Sequence, residues 1–459
     1  MIQTSLLYRL NKSFLLVGLI LYPIVFFYWG NSVNYYNILN ATVFLSYGYL
    51  LWASMDKPDD YYSIRRLGIT VFVYSIIFVS LYVLMSYTYT GNTFIFSEGD
   101  ARLYERMGFR LYEKPMYKMI PYLTSQRWGY DDWGAPLGIA LMLKVIPSKL
   151  FVNFCYILMN LLSSLLLFGI GKRIMTIRYA YMASMAYSIS SYSLFFMGCF
   201  LKEEMMILLI IASFYLLYKY QEGKILLYLI LGGFVSLPVI LFRVPVAIFV
   251  WASYASLLLL GNKSHIKKVL FGFLIVLVFI IAIGLVQYSS ERYTNSGDIA
   301  HTYVYATTSL FKKVVLALGA IIGPFPTLLQ TSSHLINYKP LFGVGLLYKF
   351  LLFFPFWKGV IYCIRTKTVE LYPLIVFTLL EIVGLVVVFD GLELRKAMPH
   401  VPIFILIAFW YMSQFDEDTD EEIRNTPYYY WTYRGFSLCI CIVFIMTLAW
   451  NTLIRIPHL

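Results

Sequence analysis

Long apolar runs recur from one end of this chain to the other, and they constrain its fold more than any other feature. As a helix, a run of about 20 apolar residues crosses a bilayer core that is about 30 Å thick. Charged residues make up 13% of the sequence, whereas soluble domains carry about 25%. The sequence therefore predicts an all-α polytopic membrane protein in which residues 1–459 form a single transmembrane domain.

The apolar runs predict about thirteen transmembrane helices, each with the length and composition of a membrane span. The predicted spans cover residues 13–30, 35–54, 67–86, 150–170, 179–197, 205–220, 225–242, 244–260, 269–288, 344–364, 371–390, 401–414 and 436–454. Two shorter apolar stretches, 137–147 and 314–330, are interrupted by Pro or Gly. We predict that these two form interfacial or re-entrant helices in the outward segments.

Lysine and arginine collect in the short connections on one side of the predicted spans, which indicates that these connections face the cytoplasm. The basic connections contain Lys57, Arg65 and Arg66; Lys172, Arg173 and Arg178; Lys219 and Lys224; Lys263, Lys267 and Lys268; Arg365 and Lys367; and Arg424 and Arg434. The N-terminus is then inside, and two long loops, 87–136 and 289–343, face outward. Because the membrane orientation explains the placement of the basic residues, the net charge of +12 does not predict nucleic-acid binding.

The first outward loop contains the candidate active site. Asp100, Arg102 and Tyr104 fit one amphipathic helix on the membrane surface, in which Asp100 and Tyr104 are one turn apart. A carboxylate held there can act as the general base that glycosyl transfer needs. The alternative is a solvated helix whose charges pair with one another. Asp131 and Asp132 are candidate substrate-binding residues in the same loop, or ordinary turn residues.

Three tight outward turns carry further charged residues. They hold the candidate substrate-binding residues Lys202, Glu203 and Glu204, then Arg243, and then Arg395 and Lys396. Charged groups at the ends of membrane spans are costly unless they face water, a partner or a substrate. Arginine binds phosphate through two parallel hydrogen bonds, so several cations at one membrane depth suit a polyprenyl phosphate. The alternative for each cation is snorkelling to the lipid head groups.

One ionisable residue, Glu381, lies near the middle of the predicted span 371–390. It is either a hydrogen-bonding strut or, in a transporter, a proton relay. The histidines show no ligand spacing and the cysteines lie in or beside apolar runs, so neither residue type predicts a metal site. A divalent cation held by carboxylates stays open as an alternative, and no other cofactor is predicted.

Three segments resemble the GT-C superfamily of polytopic glycosyltransferases: Gly99 and Asp100 with Tyr104, residues 200–204, and residues 394–402. The resemblance implies a GT-C-like bundle and a glycosyltransferase in which Asp100 is catalytic. It also implies a polyprenyl-phosphate-linked glycan as donor, a glycan acceptor and contact with membrane lipid. The expected setting is surface-polysaccharide assembly at the bacterial cytoplasmic (inner) membrane.

The chain departs from the usual GT-C layout in two ways. Its acidic loop follows the third predicted span instead of the first, and no large soluble domain follows the predicted spans. Both departures leave room for a Wzy-type polymerase of lipid-linked repeat units, which is the first alternative. Such a polymerase is also polytopic, relies on outward arginines and lacks a soluble domain. A transporter or lipid-linked glycan flippase is the second, for which we expect ionisable residues along several spans and internal symmetry. We find no internal repeat in the sequence.

Overall fold

A computed structural model of the chain describes residues 5–23, 35–91, 100–126, 129–260, 339–388, 394–416 and 427–455. Within these ranges all regular secondary structure is helical, which confirms the predicted all-α class. The helices are α1 (Leu6–Pro23), α2 (Tyr35–Ala53), α3 (Ile64–Thr90), α4 (Asp100–Tyr112), α5 (Met116–Ser125), α6 (Gly134–Val145), α7 (Lys149–Ile174), α8 (Ile177–Ser188), α9 (Ser191–Gly198), α10 (Glu203–Gly223), α11 (Leu226–Ser236), α12 (Val244–Leu260), α13 (Lys339–Leu351), α14 (Phe353–Thr366), α15 (Tyr372–Val388), α16 (Leu394–Ala397), α17 (Val401–Asp416) and α18 (Pro427–Arg455). Short 3₁₀ turns lie at Asp59–Tyr61, Tyr130–Asp132, Leu237–Leu241 and Val369–Leu371.

Three of the described helices, α3, α7 and α18, are long and apolar enough to cross a membrane. The pair α13 and α14 adds a fourth if it forms one span, although the two helices are bent by 41°. Large apolar side chains are exposed on the outer faces of other helices as well, including Leu16 of α1 and Phe234 of α11. Helices that are apolar on both their buried and exposed sides suit a lipid environment. The membrane class is therefore supported, and the thirteen spans stay a prediction.

Several predicted elements lie wholly or partly outside the described residues. The predicted span 269–288, the predicted helix 314–330 and nearly all of the second outward loop fall there. The predicted span 13–30 is described only to Pro23, and its helix begins earlier, at Leu6. The apolar stretch 137–147 forms the helix α6, which is 12 residues long and packs against α4.

The centre of the protein is formed by α8, α9 and α17. Every residue from 179 to 207 is buried, and so is every residue of α17 from 401 to 413. α8 packs against α17 and α7, and α10 packs against α7 and α11. This core places the turn between α9 and α10, which contains Lys202, inside the bundle.

The prediction of one continuous span at 179–197 is wrong, because the chain breaks between α8 and α9. Ser190 adopts an extended conformation and its hydroxyl accepts a hydrogen bond from the backbone amide of Ser193 at 3.4 Å, which begins α9. Two asparagines of α7 satisfy carbonyl groups at the ends of the broken helices. Asn160 donates to the Ser188 carbonyl at 2.9 Å, and Asn153 donates to the Met197 carbonyl at 3.2 Å. A buried break is tolerated because these backbone groups keep polar partners.

Candidate functional site

The loop 87–136, which the sequence predicts to face outward, contributes two residues to a polar cluster beside the central helices. The predicted amphipathic helix is confirmed as α4, and it directs Tyr104 inward. The Tyr104 hydroxyl donates a hydrogen bond to Asp132 Oδ1 at 2.8 Å. Lys202 forms an ion pair with the same carboxylate oxygen. The Asp132 carboxylate therefore binds both Tyr104 and Lys202, although Lys202 is 70 positions away from Asp132 in the sequence.

Lys202 also connects this carboxylate to the turn that precedes α12. Its ammonium group donates to the Phe242 carbonyl at 2.8 Å. The next residue, Arg243, donates from Nη1 to the Lys396 carbonyl at 3.0 Å, and its Nη2 lies 3.7 Å from Glu203 Oε1. All three turns that the sequence predicts to face outward thus meet in one cluster. The cluster consists of Tyr104, Asp132, Lys202, Glu203, Arg243 and the Lys396 backbone.

The two cations of this cluster are buried and lie at the starts of two helices. Lys202 is 7% exposed and Arg243 is 8% exposed, which is less exposure than snorkelling to a head group gives. Lys202 directly precedes α10, and Arg243 directly precedes α12. The N-terminus of a helix carries a partial positive charge. In this structure a carboxylate lies beside each cation, Asp132 at Lys202 and Glu203 at Arg243, so an incoming anion has to displace these partners. The two helix termini add partial positive charge that favours such an anion.

The structure also gives the positions of the remaining predicted site residues. Asp100 is the exposed first residue of α4, and Arg102 is half-buried on the same helix. Asp131 lies in the 3₁₀ turn Tyr130–Asp132, and Arg395 lies in α16. The side chains of Asp131 and Arg395 are outside what the structure describes, so their predicted contacts with substrate stay predictions.

Two carboxylates lie deeper in the bundle. Glu204 is 0% exposed, and neither of its oxygens has a hydrogen-bond partner among the described residues. It interacts electrostatically with Tyr156 and Tyr187, which the sequence did not single out. Glu381 of α15 is also buried, and Arg243 acts electrostatically on it. Oε1 of Glu381 has no hydrogen-bond partner in the described ranges. This atom therefore does not support the hypothesis that Glu381 is a hydrogen-bonding strut.

Lys349 and His400 are two further buried polar residues that sequence reasoning passed over. Lys349 interrupts the apolar run 344–364, and a charge inside such a run was the signal that could have identified it. His400 lies in the segment 394–402 that carries the resemblance to the GT-C superfamily, but the sequence predicts no role for it. Among the described residues, no group of three or more His, Cys, Asp or Glu side chains could hold a metal ion.

Neither a scan against protein-family models nor a search of curated proteins returns a match for this chain. The function is therefore argued from the cluster itself.

Proposed function

We propose that this chain is a membrane glycosyltransferase that uses a polyprenyl-phosphate-linked donor on the outward face of the membrane. The observation that carries the proposal is the pair of buried cations, Lys202 and Arg243, at the N-termini of α10 and α12. Such a pair suits the phosphate of a substrate whose lipid tail stays in the bilayer. The apolar helices around the cluster provide the membrane setting that this substrate requires.

The reaction we propose begins with an exchange of partners at Lys202. An incoming phosphate replaces Asp132 as the partner of the ammonium group, and the Asp132 carboxylate is then able to accept a proton. Asp132 is only partly buried, so an acceptor can reach it. The hydrogen bond from Tyr104 holds the carboxylate in place during this exchange.

Glycosyl transfer then requires one bond to form and one to break. The acceptor hydroxyl oxygen attacks the anomeric carbon of the donor sugar, and its proton passes to the Asp132 carboxylate. The bond between the anomeric carbon and the phosphate oxygen breaks, and the bonding electron pair leaves with the phosphate. Lys202 and Arg243 stabilise the negative charge that develops on this leaving group.

This proposal moves the general base from Asp100, the residue that the sequence predicts, to Asp132. Both carboxylates are within the same loop, and Tyr104 links them because it lies one turn after Asp100 and binds Asp132. Asp132 is the one joined to Lys202. A base next to the phosphate-binding cation is better placed for the transfer than an exposed residue at the start of α4.

The test is a lipid-linked transfer assay on purified protein with Asp132→Asn and, as its matched control, Asp100→Asn. We expect Asp132→Asn to lower the rate by about 10²- to 10⁴-fold, the usual contribution of a general base. Asp100→Asn is expected to keep near-normal activity. The reverse result would return the base to Asp100 and leave the transferase proposal in place. Normal activity in both variants would refute the transferase mechanism.

A Wzy-type polymerase uses the same chemistry with a preassembled oligosaccharide as the transferred group. The length of the product distinguishes the two, because a polymerase yields a ladder of repeat units and a single-sugar transferase adds one residue. The assay above therefore also separates these alternatives when the donor is offered in both forms.

A second candidate function, transport or flipping of a lipid-linked glycan, is favoured by the buried carboxylates of Glu204 and Glu381. Ionisable residues inside a bundle are typical of proton-coupled transporters. Transport needs two compartments, whereas glycosyl transfer proceeds in detergent micelles. Substrate movement in sealed proteoliposomes without transfer in micelles, together with loss of movement in Glu381→Gln, would favour the transporter.

A further inference from the structure

Lys349 of α13 is a cation held inside the protein. It is 3% exposed, and its ammonium nitrogen lies 5.2 Å from the centre of the Phe404 ring. The Phe404 ring in turn stacks on Phe356 with their centres 4.0 Å apart. In the part of the chain that the structure describes, no carboxylate forms a salt bridge with Lys349. A buried cation supported mainly by an aromatic ring is costly unless an anion joins it.

His400 is the second polar residue at this position. It is 1% exposed, and its Nδ1 has no hydrogen-bond partner among the described residues. Burial lowers the pKa of His400 well below its usual value, and Lys349 acts in the same direction. His400 directly precedes α17, a helix of 16 residues. The ammonium group of Lys349 and the start of α17 therefore supply positive charge here, and the neutral imidazole supplies a hydrogen-bonding group.

A short turn connects these two residues to the Lys202 and Arg243 cluster. Arg243 donates to the carbonyl of Lys396. The backbone amide of His400 donates to the carbonyl of Ala397, the residue after Lys396, at 3.2 Å. His400 lies four positions after Lys396, so their Cα atoms are at most about 14 Å apart. Residues 396–400 therefore connect the Lys202 and Arg243 cluster to the Lys349 and His400 pair through one short segment.

We propose that Lys349 and His400 form a second anion subsite, which binds a second anionic group of the substrate whose first phosphate binds at Lys202 and Arg243. This inference rests on the proposed function. The ligand chemistry is an anionic oxygen group close to the first phosphate. It is supplied either by the second phosphate of a polyprenyl diphosphate or by the carboxylate of an acidic first sugar. In both cases Lys349 provides the charge and His400 a hydrogen bond.

The experiment measures binding of three probes to the purified full-length protein: polyprenyl monophosphate, polyprenyl diphosphate, and polyprenyl monophosphate carrying glucuronic acid. Lys349→Met keeps the apolar stem and removes the charge. Lys358→Met is the matched control, because Lys358 also lies beside an aromatic ring, with its ammonium nitrogen 5.7 Å from the centre of Phe354. His400→Gln tests the hydrogen bond separately.

We expect Lys349→Met to weaken binding of either the diphosphate or the glucuronic acid probe by about tenfold or more, as for loss of one hydrogen bond to a charged group. Monophosphate binding should not change in Lys349→Met, and Lys358→Met should resemble the wild type. The probe whose binding weakens identifies the anionic group that occupies the second subsite. Melting temperatures of the variants establish that each one is folded, and Lys349→Arg should restore most of the lost affinity.

Two results would overturn the inference in different ways. If Lys349→Met binds all three probes as the wild type does, or loses all three equally, there is no second subsite. The proposed function survives that result when Lys202→Met weakens binding of all three probes. If the wild type binds none of them, both the subsite and the proposed function are wrong.

Discussion

Asp416 accepts a hydrogen bond from the backbone amide of Leu6 at 2.7 Å, so the last residue of α17 caps the first turn of α1. Its second carboxylate oxygen accepts from the amide of Leu7 at 3.1 Å and from the Tyr179 hydroxyl at 2.7 Å. The first amides of a helix have no partner within it, and a carboxylate there also interacts favourably with the helix dipole. Asp416 is therefore a helix-capping residue, and residues 417–422, which follow it, lie outside the described ranges.

Asp416→Ala is expected to lower the free energy of unfolding by about 1 to 2 kcal/mol, because the capping amides lose their acceptor. Asp416→Asn keeps one acceptor oxygen and should be milder. Asp60→Ala is the matched control, since Asp60 is exposed in a surface turn. Thermal unfolding of the purified proteins in detergent measures the difference. Equal melting temperatures for Asp416→Ala and Asp60→Ala would show that the cap contributes nothing to stability.

Gly345 lets α13 approach α9 closely. The amide of Gly345 donates to the Ser191 hydroxyl at 2.9 Å, and a Cβ atom at this position would lie 2.5 Å from a ring carbon of Tyr192. Gly345→Ala is therefore expected to destabilise the protein by about 1 to 3 kcal/mol through overpacking. At Gly233 of α11 a Cβ meets no atom within 4 Å, so Gly233→Ala should be neutral or stabilising by up to about 1 kcal/mol. Thermal unfolding of both variants tests the contrast, and a destabilised Gly233→Ala would contradict it.

The buried position of His400 predicts a pH dependence of stability. Its folded-state pKa is lowered by burial and by Lys349, so the unfolded state binds a proton that the folded state does not bind. Stability from this residue is therefore complete above the unfolded pKa of about 6.5 and is lost as the pH falls below it. The slope is at most about 1.4 kcal/mol per pH unit for one proton.

The measurement is the melting temperature of the wild type and of His400→Gln between pH 5 and 7, a range set by the ordinary histidine pKa of about 6.5. The wild type should become less stable towards pH 5 more steeply than His400→Gln, because the variant has no imidazole to protonate on unfolding. Parallel curves would show that His400 is protonated equally in both states.

The sequence predicted which segments are helical better than it predicted how they meet. Apolar runs identify α3 and α7 because a long apolar helix is a local property of the sequence. The break between α8 and α9 depends on asparagines of a different helix, Asn153 and Asn160, and so it was missed. The serines at 188, 190, 191 and 193 were the available signal, since serine favours helix N-caps.

For the candidate site, too, the sequence predicted the properties that depend on nearby residues and not the contacts between distant ones. Charge bias placed Lys202, Arg243 and the loop with Asp132 on one side of the membrane, and the structure brings these three residues into one cluster. The choice between Asp100 and Asp132 could not be made from spacing. The choice depends on which carboxylate lies next to Lys202 in the folded bundle. The residue pattern within the loop does not contain that information, because Lys202 belongs to a distant part of the sequence.

The orientation of the protein is the prediction on which the outward site depends. Ser125 ends α5 and is exposed, whereas Asp60 is exposed in the turn between α2 and α3, which belongs to a basic connection predicted to be cytoplasmic. In intact bacterial spheroplasts, Ser125→Cys should react with a membrane-impermeant maleimide and Asp60→Cys should not. The parent protein supplies the background labelling of its own cysteines. If only Asp60→Cys reacts, the topology is the reverse of the one predicted. Lys202, Arg243 and Asp132 would then face the cytoplasm, where soluble nucleotide sugars could replace the polyprenyl donor.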